Sequence, residues 1–111
     1  MKNLLTVLIF CAVAAFGQAT HSVTLTWTDT ANPAGTTYSA YRATGLCSGS
    51  PVFSKIASAI TVKTYEDSTV TPGNYCYQAT ATYGGMESAP SNTALAPVPS
   101  FAPTGLSVVV K

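Results

Sequence analysis

Charge is scarce in this chain. Five Lys+Arg and four Asp+Glu make up 8% of 111 residues, beside one histidine and one tryptophan. An average globular domain carries about 25% charged residues. A formal net charge of +1 leaves no basic patch of the size that nucleic acid requires. A lone histidine and no Cys-x-x-Cys pair argue against a zinc site. No nucleophile–base constellation stands out, because the residue types that would form one are nearly absent. There is no Gly-rich phosphate loop, no Asn-x-Ser/Thr sequon and no Arg-Gly-Asp tripeptide. No cofactor and no metal are implied, and the chain reads as a non-enzyme. At this length there is room for one domain.

The only long apolar run is at the front. Met1-Lys2-Asn3 is a short charged region, Leu4 to Phe16 an apolar stretch, and Gly17-Gln18-Ala19 a small-residue cleavage site. This is the layout of a secretory signal peptide over residues 1–19. The run falls short of the ~20 residues of a membrane span. Cys11 raises a lipoprotein alternative, but Phe10 stands where lipoprotein processing wants a small residue. An uncleaved anchor is the other alternative. After cleavage, Arg42, Lys55, Lys63 and Lys111 balance Asp29, Glu66, Asp67 and Glu87. A neutral chain has little electrostatic attraction to nucleic acid or to an anionic membrane. The remaining cysteines, Cys47 and Cys76, form an even count in an exported chain and read as a disulfide. The expected location is extracellular, free or at the cell surface, with no membrane span once the leader is removed.

What the chain does have is Thr, Ser and Tyr at period two. Val23, Leu25 and Trp27 share one face of Ser22–Thr28 and the polar residues the other, the mark of a half-buried strand. Asp29 to Gly35 is a loop, Thr37 to Thr44 a strand, and Gly45 to Pro51 a break. Val52–Ile56 and Ile60–Glu66 are short strand candidates. Thr71-Pro72-Gly73-Asn74 is a turn. Tyr75 to Tyr83 alternates again and ends at a Gly84-Gly85 hairpin turn. Met86 to Ala96 is the return strand, an edge because of Pro90. No window has a helical period. The expectation is an all-β sandwich of about seven strands in two antiparallel sheets.

These pieces resemble a fibronectin type III domain of the kind found in secreted bacterial proteins. The matching stretches are Ser22-Val23-Thr24-Leu25-Thr26-Trp27, Tyr38-Ser39-Ala40-Tyr41-Arg42, Tyr65-Glu66-Asp67 with Val70, Pro72-Gly73 with Tyr75 and Tyr77, and Glu87-Ser88-Ala89-Pro90-Ser91-Asn92. They cover nearly all of residues 22–96. The resemblance implies an immunoglobulin-like sandwich, with Trp27 as the core tryptophan and Tyr75 as a corner tyrosine whose hydroxyl bonds nearby backbone. It also places the strand ending near Thr44 beside the start of the strand carrying Cys76. Cys47–Cys76 then becomes a surface staple, with Cys76 on the outer face opposite Tyr75 and Tyr77.

One departure from the family pattern stands out. The domain expected over residues 20–96 has no first strand ahead of Ser22. A Pro-rich linker at 97–103 and a strand-like segment at 104–111 instead follow it. Leu106, Val108 and Val110 alternate with Ser107, Val109 and Lys111. The segment could complete the sheet of a second copy, fold back on its own domain, or stay a free tail. The first disposition makes the protein a secreted, non-enzymatic structural or interaction module that self-assembles head to tail into a filament by strand exchange. The alternative is a monomeric adhesion or binding domain for an extracellular protein or glycan, with Tyr41 and Tyr83 as the ligand face. His21 reads as an exposed terminal residue. Glu66 and Asp67, adjacent on a strand, face opposite ways; they resemble a turn acidic motif of the family, which implies capping or turn hydrogen bonding.

Overall fold

The structure is a computed structural model that describes residues 19–111, so the leader expected over residues 1–19 lies outside it except for its last residue. Seven strands follow one another: β1 His21–Thr26, β2 Thr37–Thr44, β3 Ser54–Ile60, β4 Thr64–Val70, β5 Gly73–Tyr83, β6 Met86–Glu87 and β7 Ala94–Val98. β1 and β4 form one antiparallel sheet. The other runs β3-β2-β5, with β6 and β7 both pairing the far side of β5.

Alternation decides what each strand buries. Leu25 stands opposite Tyr65 and Val23 opposite Asp67, so the odd positions of β1 face inward with those of β4. β5 is the central strand: β2 pairs it from Thr37↔Thr82 to Thr44↔Tyr75. The buried apolar residues are Tyr38, Ala40, Ala43, Val70, Cys76, Tyr77, Ala79 and Val98. Three of them are alanines, so the core is thin for a sandwich and leans on its tyrosines.

Several boundaries differ from the sequence reading. Val52–Ile56 and Ile60–Glu66 become β3 at Ser54–Ile60 and β4 at Thr64–Val70. The β2–β3 register shifts twice, next to Tyr38, Ala40 and Tyr41, and such bulges erase the period-two signal. The single return strand expected over Met86–Ala96 is instead two pieces. Pro90 has no N–H for the ladder, and the serines beside it carry the pairing across. The N–H groups of Ser88 and Ser91 donate to the carbonyls of Ala81 and Ala79 at 2.7 and 2.8 Å. Their hydroxyls accept from the N–H groups of those same two alanines. Pro97 and Val98, expected in the linker, complete β7 against Asn74 and Gly73.

Candidate functional site

Cys47 and Cys76 are bonded, with Cα atoms 5.1 Å apart. The parity of β5 turns Cys76 to the outer face as expected, yet the residue is fully buried rather than part of a surface staple. It sits in the middle of its sheet, flanked by Ala43 on β2 and Leu95 on β7.

The inner face carries a polar cluster that the sequence reading missed. Asp67 is 3% exposed. Its Oδ2 accepts from Arg42 Nη1 at 2.7 Å and from the Tyr77 hydroxyl at 2.8 Å, and its Oδ1 accepts from the Thr69 hydroxyl at 2.8 Å. Arg42 and Tyr77 stand directly opposite each other on β2 and β5, so one carboxylate on β4 joins both strands of the facing sheet. Burial pushes the Asp67 pKa up, but the hydrogen bonds from Thr69, Tyr77 and Arg42 outweigh it and the net shift is downward. Burial, reinforced by Asp67, pushes the Tyr77 phenol well above its ordinary value. Asp67 is therefore a bolt between the sheets, and its Oδ1 also makes local hydrogen bonds of the turn kind expected, accepting from the N–H and hydroxyl of Thr69 two residues on. Glu66 does point the other way, to solvent.

Trp27 lies just past β1 and is half-buried. Its ring is 5.4 Å from that of Tyr38, and its indole N–H has no hydrogen-bond partner among the described residues. The Tyr75 hydroxyl meets the Thr71 hydroxyl at 3.2 Å, a side chain rather than the backbone expected of a corner tyrosine. The Arg42 guanidinium lies 5.5 Å from the Tyr75 ring centre. Tyr41 and Tyr83 do not form one face. Tyr41 pairs with Gln78, while Tyr83 shares the opposite parity with Tyr77. The Tyr41 hydroxyl donates to Glu87, which also accepts from Thr80; these bonds, Thr80 first, lower the Glu87 pKa. Tyr83 is 51% exposed.

His21 is not the free terminal residue expected. Its ring is half-buried and stacks on Phe101, with centroids 4.0 Å apart and planes 11° apart. The chain beyond β7 therefore passes the beginning of β1. From Thr104 onward every residue is exposed and unpaired, with Leu106 at 90%, Val108 at 78% and Val110 at 88%.

A groove of about 550 Å³ runs along β1 between the two sheets. One wall is the unbroken run Val23–Thr28; the other includes Tyr77, Ala79, Ala94, Leu95 and Ala96. Its cause is legible in the residues. β7 turns the small side chains of Ala94 and Ala96 inward, opposite Tyr77 and Tyr75, so the space facing Val23, Leu25 and Trp27 is left unfilled. Among the described residues β1 has one strand partner, β4, and its other edge is open.

Among solved structures, this chain is similar to a solution structure described as a fourth human FNIII domain. The two share 19% sequence identity, with a TM-score of 0.58 over 80% of this chain and 76% of that one. The fold is fibronectin type III-like. No family model and no curated protein matches the chain. A disulfide on this fold is consistent with an extracellular domain. Among the described residues no cluster of three metal-ligating side chains occurs, and no helix is long and apolar enough to cross a membrane.

Proposed function

We propose that this protein is a secreted, non-enzymatic module that assembles with copies of itself through residues 104–111, each copy donating the segment to the next in a head-to-tail filament. The observation that carries the reading is the segment itself. An alternating apolar strand pattern, Leu106, Val108 and Val110, stands free of its own domain. A free segment with a strand's alternation can add to the open sheet edge of another chain. Burying those three side chains contributes about 5–7 kcal/mol, offset in part by the entropy of ordering the segment. The unpaired edge of β1 supplies the backbone partners. A donor that leaves one molecule and enters the next does not close on itself, so the product is a filament.

Light scattering on residues 20–111, beside a chain ending at Ser100, tests this. The mass of the longer chain is expected to rise with concentration while the shorter stays monomeric. Two monomers of equal stability overturn the proposal and favour the binding-domain alternative, directed at an extracellular protein or glycan.

A further inference from the structure

We infer that the groove between β1 and β7 is the acceptor site for residues 104–111 of a second copy. The segment enters antiparallel to β1, with Leu106 beside Trp27, Val108 beside Leu25 and Val110 beside Val23. The inference rests on the self-assembly proposed above and adds where the segment goes and in which direction.

Three features of the groove fit a strand rather than a compact ligand. It follows an unbroken stretch of β1 in which inward and outward residues alternate, so it opens onto backbone as well as side chains. Its lining mixes apolar Val23, Leu25, Ala79, Ala94 and Ala96, which meet alternate side chains, with polar Gln78, Ser91 and Asn92, which suit a backbone. The spacing also matches, since Val23, Leu25 and Trp27 recur at the same period of two as Val110, Val108 and Leu106. Apolar side chains at alternate positions can fill the space that the alanines of β7 leave, while the donor backbone pairs the free edge of β1. The unpartnered indole N–H of Trp27 belongs to a residue of this wall.

The same geometry argues for a second copy as the donor. The His21–Phe101 stack holds the outgoing chain at the beginning of β1. From there the molecule's own segment could run along β1 only parallel to it. A segment arriving from another copy can enter at the Thr28 end and pair antiparallel, the more stable arrangement per residue.

The test separates the donor from the acceptor. Ala94→Trp places a large ring in the groove and leaves the segment intact, giving a donor-only chain. A chain ending at Ser100 is acceptor-only. Mixed, the two are expected to form a one-to-one complex and nothing larger. Ala94→Trp alone is expected to self-associate more than about 30-fold more weakly than the native chain, the loss of a central contact. A thermal melt of each variant close to that of the native chain shows that the domain is folded. A benzophenone-bearing residue at position 110 is expected to cross-link near Val23. Cross-linking near Trp27 overturns the direction. Unweakened assembly of Ala94→Trp, or no mixed complex, overturns the groove while leaving self-assembly standing. A native chain that is monomeric at all concentrations removes both, and protection of its segment in that monomer assigns the groove to the chain's own segment.

Discussion

Replacing Asp67 by Ala tests whether the two sheets are bolted together by one carboxylate. The substitution leaves the Tyr77 hydroxyl without its acceptor and Arg42 without its ion-pair partner. Removing one member of a buried ion pair costs ~3–5 kcal/mol. The Arg42 side chain is 28% exposed and regains some water, so about 3 kcal/mol is the expected loss. Against a total of ~5–10 kcal/mol for a domain of this size, that is a large fraction. Urea unfolding followed by tryptophan fluorescence reads it directly, with Trp27 as the sole reporter. The second arm is the paired replacement Arg42→Met with Asp67→Leu. Exchanging a buried pair for apolar residues is often neutral or stabilising, so the double variant should recover the part of the loss that comes from the unpaired Arg42, leaving the part that comes from the Tyr77 hydroxyl. A cost below about 1 kcal/mol for Asp67→Ala, or a double variant no better than the single one, refutes the reasoning.

Acid should destabilise the domain through the same group. The pKa of Asp67 is lowered in the fold, as are those of Asp29 and Glu87. The unfolded chain therefore binds more protons in acid, and the stability these carboxylates confer is present above about pH 4 and lost as pH falls through the folded values. Melting temperatures from pH 7 to pH 2 should decline below that point, and less steeply in an Asp67→Asn variant. Removing the disulfide by Cys47→Ala with Cys76→Ala should cost about 3–4 kcal/mol in urea unfolding, from the entropy of the closed loop. Ala59 has φ 55° on β3, a left-handed conformation that costs a non-glycine residue roughly 1–2 kcal/mol. Ala59→Gly should raise stability by about 0.5–1 kcal/mol in a thermal melt; a fall would show that the conformation carries no strain.

The sandwich is legible because the sequences of β1 and β5 alternate at period two, because β2 is rich in Tyr and Thr, and because turn residues separate them. β3 was placed two residues early because its Ser-Ala sequence has no apolar face and its pairing with β2 is bulged. The role of Asp67 was hidden for a different reason. Its partners come from β2 and β5, and a polar residue at an inward position looks the same in sequence as one at a turn. The one available clue was the shared parity of Arg42 with Tyr38 and Ala40. Cys47 and Cys76 announced their bond by number alone, but the burial of Cys76 depends on the neighbours that the register supplies. The apolar segment at 104–111 was plain in the sequence. The groove was not, since it is the product of small residues on β7 facing large ones on β1.

Every strand of the smaller sheet finds its partner far along the chain, with Leu25 opposite Tyr65, and β2 waits for β5 in the same way. A topology of such high contact order closes slowly, over milliseconds to seconds. Neither sheet can be completed while the second half is still being made: β2 and β3 can pair early, but β1 stays without β4 and β2 without β5 until those strands exist.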